Sequence, residues 1–108
     1  MTETENLKAF LEWRNEKLKG FQDYLVNAEL WRDVAVDIYN EERDKLASLK
    51  KTRAGKEAVD EQRGHVGGAK TGAFLAKVAY LQALDNYEIA QSYFDQIHFH
   101  MLEKDGDE

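Results

Sequence analysis

Large side chains recur along the last third of this chain at alternating steps of four and three. Tyr80, Leu84, Tyr87, Phe94 and Met101 follow that spacing, with Gln91 and His98 at the two intervening positions. This is the spacing of a coiled-coil seam, and it demands a helix, because only a helix brings such positions to one side. Just upstream the same stretch is thin. Gly64, Gly68, Gly72 and Ala76 stand at intervals of four, and Ala79 and Ala83 carry the line on. As a helix this segment presents a ridge with almost no side chain, followed by an aromatic end.

The first half of the chain repeats the helical theme. Thr2 and Glu5 have the spacing of a capping box, with Thr4 as an alternative cap. Leu7, Phe10, Leu11, Leu18 and Phe21 then share one face. Gly20 lies inside that pattern at a cost of about 1 kcal/mol against alanine, and a break or bend is expected near it. From about Phe21 to Lys51 the pattern is most regular. Tyr24, Trp31 and Ile38 are seven apart, and Glu29, Asp33, Asp37, Glu41 and Asp44 form a solvated opposite side.

Composition agrees with helices throughout. The chain has no proline, 33% charged residues and only weak alternation of β-branched with polar positions. The expected fold is all-α: two long antiparallel helices, a coiled-coil-like helical hairpin, preceded by a short N-terminal helix and completed by self-association. Residues 1–103 are expected to form one helical domain, and 104–108 a frayed acidic tail. The connection is the ambiguous part. Residues 52–72 are polar and glycine-rich, and each glycine costs a helix about 1 kcal/mol. Propensity and polarity favour a mobile connection there; a helix whose glycine ridge admits a close neighbour is the other reading.

Charge is unevenly spread. Residues 1–49 carry −4 and residues 78–108 carry −6, whereas residues 50–77 carry +4 within an overall −6. The middle is therefore where a polyanion would be welcome, and Arg53, Lys56, Arg63, His65 and Lys70 are its candidate anion or nucleic-acid contacts. GHVGGAKTGA places Lys70 before Thr71 as a phosphate-binding loop would, but Ala69 stands where that motif needs glycine, and no strand precedes it. The basic stretch also holds no aromatic between Tyr39 and Phe74, which argues against stacking on single strands.

Catalytic and metal chemistry find little footing. There is no cysteine, and Ser48 and Ser92 sit in no nucleophile motif. His98 and His100 are two apart and point to different sides of a helix. Asp95 with His98, and Glu61 with His65, have ligand spacing, yet the two pairs lie far apart along the chain. No enzyme activity, cofactor or metal is expected. The aromatics point instead to contact with protein, since tyrosine and tryptophan suit surfaces that are apolar with a polar tip. Trp13, Trp31, Tyr80, Leu84, Tyr87, Phe94 and Met101 are the candidate interface. The acidic, polar MTETENLKAF start is unlike a secretory signal, and no run nears the roughly 18 apolar residues of a membrane span. The sequence thus suggests a cytoplasmic, non-enzymatic accessory or regulatory protein: an adaptor, inhibitor or assembly factor. Its partners would be another protein and further copies of itself. A nucleic-acid or phosphate-ligand role for residues 50–77 is the alternative.

Overall fold

Thr2 caps the first helix as its spacing with Glu5 predicts. The Glu5 backbone N–H donates to Thr2 Oγ1 at 3.2 Å, and the Thr2 backbone N–H donates to Glu5 Oε2 at 3.3 Å. A computed structural model describes residues 2–106. Two helices account for nearly all of them: α1, Glu3–Lys51, and α2, Lys56–Gly106. The described residues hold no strand. The expected short N-terminal helix does not exist separately, because α1 runs unbroken through Gly20. One glycine withholds about 1 kcal/mol, too little to break a helix whose apolar positions Leu18 and Leu25 recur on both sides of it. At the other end α2 stays helical to Gly106, so the tail expected at 104–108 begins within the helix; residues 107 and 108 lie outside the described residues.

The connection is much shorter than propensity suggests. Residues 56–72, which polarity and glycine content assigned to a mobile segment, are helix, and the turn comprises only residues 52–55. α1 ends in a Schellman motif. The Ala54 N–H donates to Leu49 O at 2.9 Å and the Arg53 N–H to Lys50 O at 3.2 Å, which satisfies carbonyls that the helix end would otherwise orphan. Glycine normally fills the left-handed position of this motif. Here Arg53 does so, with φ 57°, at a cost on the order of 1–2 kcal/mol. Gly55 follows two residues later, and its carbonyl accepts the first bond of α2 from Val59 N–H at 3.1 Å.

The residues fall into two units. One is Asn27–Leu81, the turn unit; the other is Met1–Val26 with Gln82–Glu108, the terminal unit. Each is an antiparallel pair built from α1 and α2. In the turn unit the residues that lose exposure step by three and four: Ala28, Arg32, Ala35, Tyr39, Glu42, Leu46 and Leu49 on α1. Val59, Gln62, Val66, Ala69, Ala73, Ala76 and Tyr80 do so on α2. Both are seams of the coiled-coil type. The α2 seam starts upstream of the glycines and continues beyond them, so the helix is anchored on one side while its glycines lie on another. None of these glycines has a positive φ. A Cβ added at Gly64, Gly67, Gly68 or Gly72 would meet nothing within 4 Å.

In the terminal unit the seam is larger in side chain. Leu7, Leu11, Leu18 and Leu25 on α1 and Tyr87, Phe94, Ile97 and Met101 on α2 are half-buried, and Ala83 is 2% exposed. Trp13 meets Phe94 edge to face at 5.3 Å, a favoured aromatic geometry. Tyr80, Tyr87, Phe94 and Met101 hold the sevenfold positions read from the sequence. The positions between them are Ala83, Ala90 and Ile97, one residue before the expected Leu84, Gln91 and His98.

Candidate interaction surface

Helix α2 is nearly uncharged over the part that faces most outward. Between Val66 and Leu81 its only charged side chains are Lys70 and Lys77. Both lie on one flank, where two grooves run beside the turn-unit seam. The first, about 570 Å³, is lined by Arg32, Asp33, Val36, Asp37, Lys77, Tyr80 and Leu81. The second, about 330 Å³, is lined by Val36, Tyr39, Asn40, Lys70, Ala73, Phe74 and Lys77. These shared linings fix which sides of the helices adjoin: Asp33, Val36 and Asn40 of α1 lie beside Lys70, Phe74, Lys77 and Leu81 of α2.

The other flank follows from helical geometry. On α1 it carries Asn27, Trp31, Val34 and Ile38; on α2 it carries Gly68, Gly72, Leu75 and Ala79. None of these is charged. Val34 is 48% exposed, Ile38 46% and Leu75 59%, and Val78 at the outer edge is 39% exposed. Among the described residues the buried ones are Ala28 and Ala73 of the turn unit and Ala83 of the terminal unit. In the turn unit Val34, Ile38, Leu75 and Val78 thus stand outside a seam that holds alanines together with Tyr39, Leu46, Leu49, Val59, Val66 and Tyr80.

Polar residues inside the turn-unit seam are satisfied within it. Gln62 Nε2 donates to the Glu42 carbonyl at 2.9 Å and to Glu42 Oε2 at 2.6 Å. The amide bond from Gln62 holds the Glu42 carboxyl below its ordinary value, with Lys45 helping and desolvation opposing. The Arg32 guanidinium lies 4.2 Å from the centre of the Tyr80 ring and pairs with Asp33 at 3.0 Å. The Asp33 hydrogen bond, offset by desolvation, raises the pKa of Arg32 further.

The candidate anion contacts do not form one cluster. Lys56, Arg63 and Lys70 are seven apart and share one side of α2 with Lys77, which the sequence reading did not single out. Arg63 is partly neutralised by Asp60 at 3.7 Å. Arg53 sits in the turn in its left-handed conformation, and His65 lies on the opposite flank, 3.9 Å from Glu61. Regular spacing by seven is the signal that would have grouped Lys77 with the others.

The candidate interface residues also divide. Tyr80, Leu84, Tyr87, Phe94 and Met101 are half-buried within their units, whereas Trp13 and Trp31 are 45% and 51% exposed. Asp95 and His98 do converge, but on a side chain of this chain. Arg14 Nη1 donates to His98 Nδ1 at 3.5 Å and lies 3.8 Å from Asp95 Oδ1. Among the described residues no three His, Asp or Glu side chains come together as a ligand set. No described helix is long and apolar enough to cross a membrane.

No family model, curated protein or solved structure matches the chain.

Proposed function

We propose that this chain is a small non-enzymatic accessory or regulatory protein of the cytoplasm, an adaptor, inhibitor or assembly factor, that works by binding protein through the outward apolar flank of its turn unit. The observation that carries this reading is the uncharged flank of that unit, on which large apolar side chains stand exposed. A helix that is apolar around most of its circumference normally lies inside a larger structure. Here α1 covers only one side of α2, and Val34, Ile38, Leu75 and Val78 remain exposed. Exposed apolar groups gathered on one flank mark interaction surfaces in soluble proteins. The absence of cysteine fits a reducing compartment.

The test is capture of binding proteins by the intact chain and by a Val34→Glu, Leu75→Glu double variant that keeps its helicity. The parent should retain a protein that the variant loses, because each glutamate would enter the contact unpaired. Equal capture by both would remove this flank from the function.

A second reading rests on the line of Lys56, Arg63, Lys70 and Lys77 at steps of seven. Such a line suits a phosphate backbone or a phosphorylated ligand. Binding of that kind falls steeply with salt, since each neutralised phosphate releases counterions. Changing Lys56, Arg63 and Lys70 together to alanine should flatten that dependence without loss of helicity. Nuclease treatment distinguishes the readings: a partner that disappears with it belongs to the basic line, not to the apolar flank.

A further inference from the structure

We infer that the occupant of the uncharged flank is a second copy of this chain, joined about a twofold axis that runs alongside the helices. This rests on the flank proposed above as a binding surface and names what covers it. Three observations support a copy over an unrelated protein.

The first is shape. One flank of one unit carries bulky side chains on α1 (Trp31, Val34, Ile38) and, on α2, small residues (Gly68, Gly72, Ala79) interrupted by Leu75. The space over the glycines is open, because a Cβ at Gly68 or Gly72 meets nothing within 4 Å. A twofold axis parallel to the helices sets α1 of each copy over α2 of the other. Each bulky strip then meets the strip of small residues, and the single flank is its own complement. Small residues also let helix backbones approach closely.

The second is charge. Charge of one sign or the other covers most of the chain, −4 over residues 1–49, +4 over 50–77 and −6 over 78–108. Two copies paired about a twofold axis would therefore set like charges side by side over most of it. The flank is the exception, since no charged side chain lies on it from Asn27 to Ile38 of α1 or from Gly68 to Ala79 of α2. Two copies meeting there desolvate no unpaired ion. The groove flank, with Asp33, Asp37, Lys70 and Lys77, offers no such match to itself.

The third is area. The chain exposes 8173 Å², whereas a folded monomeric protein of this mass exposes about 6,200 Å². The difference, roughly 2,000 Å², is spread over both units, and an obligate homodimer needs about half of that or more from each partner. The expected product is a four-helix arrangement in which every neighbour is antiparallel.

The experiment is sedimentation equilibrium of the full chain across micromolar concentrations, with Gly72→Leu, Val34→Glu and Lys77→Ala. The parent should be a dimer. Val34→Glu should weaken association by about 100-fold or more, because the carboxylate would be buried without a partner. Gly72→Leu guards against misfolding as the explanation. It replaces a helix-interior glycine facing open space within the chain, so helicity and thermal stability at dilution should hold or rise while the dimer is lost. Lys77→Ala should leave the dimer intact.

The absence of cysteine allows a geometric check. In an oxidised mixture of Val34→Cys and Leu75→Cys chains, disulfides should join one kind of chain to the other. Disulfides mainly between identical chains would mean that like helices stack, and would overturn the twofold arrangement inferred here. A parent that remains a monomer at every concentration would overturn the second copy altogether. If that monomer still retains a protein that the Val34→Glu, Leu75→Glu chain loses, the protein-binding reading survives and this inference alone fails.

Discussion

The two units use the same helices and the same three-four spacing, and both leave large apolar side chains exposed, yet they fill their seams differently. The terminal unit puts leucine, tyrosine, phenylalanine, isoleucine and methionine into its seam, and Trp13 closes on Phe94 at 5.3 Å. The turn unit fills much of its seam with Ala28, Ala35, Ala69, Ala73 and Ala76, and leaves Phe74 and Leu75 at 64% and 59% exposure. Helix formation therefore does not by itself say where stability resides. Burying a large side chain contributes roughly 1.5–3 kcal/mol, and alanine has little side chain to bury. The seam of the terminal unit is therefore the larger internal contribution, and the alanine-rich seam of the turn unit the smaller.

The largest expected effect tests that contrast with one residue type. Phe94→Ala should cost about 2–3 kcal/mol, given a half-buried phenylalanine that loses its ring partner. Phe74→Ala should cost under about 1 kcal/mol, as an exposed site does. Urea unfolding followed by circular dichroism measures both, and equal losses would erase the distinction between the units. Next in size is Ala73→Leu. Ala73 is 6% exposed, so a larger side chain should push the α1–α2 contact of the turn unit apart and cost about 1–3 kcal/mol. No loss in a thermal melt would mean that the alanine seam is loose rather than close.

The turn offers a gain of about 1 kcal/mol. Arg53→Gly removes the left-handed strain at φ 57° while leaving both Schellman bonds intact, and glycine adopts that conformation freely. A midpoint unchanged or lowered in urea would show that the arginine side chain compensates. The smallest effect concerns protons. Glu42 has a folded pKa below its ordinary value of 4.5, so its contribution to stability is present above that value and fades as pH falls through the depressed one. Gln62→Leu removes the amide that chiefly lowers it. The Glu42 carboxyl should then titrate at higher pH by NMR, and acid unfolding should depend less on this group.

Much of the architecture was legible because its signals are local. The Thr2–Glu5 box, the absence of proline and the recurrence of Tyr80, Tyr87, Phe94 and Met101 each act over a few residues, and each has its counterpart in the structure. Size alone does not rank neighbours within the seam: Leu84 is larger than Ala83 and half-buried, but Ala83, 2% exposed, is the more enclosed. The small-residue line misled for a geometric reason. Four residues turn a helix through about 400°, so a line at steps of four drifts about 40° each time. Gly64, Gly68 and Gly72 therefore face outward, while Ala76 and Ala83 have come round to the seam. Propensity failed at 56–72 because it weighs each glycine alone, whereas Val59, Gln62, Val66, Ala69 and Ala73 hold the helix together from its other side. Nearness in sequence groups His65 with Lys56, whereas the step of seven groups Lys77 with Lys56, Arg63 and Lys70. An uncovered flank cannot be read from a single helix pattern, since it depends on which side the other helix takes.

The four-residue turn also orders events in time. Contacts near it close short loops: Glu42 and Gln62 are 20 residues apart, whereas Arg14 and His98 are 84 apart. Closing the longer loop first would cost about 1.3 kcal/mol more in chain entropy. The favoured route zips outward from Arg53, so the alanine seam forms early and the aromatic contacts arrive late. During that interval the nascent hairpin has a weak interior and an exposed apolar flank. A chain being synthesised would reach this condition only after residue 81 emerges, and the apolar flank of the turn unit is then the stretch most in need of protection.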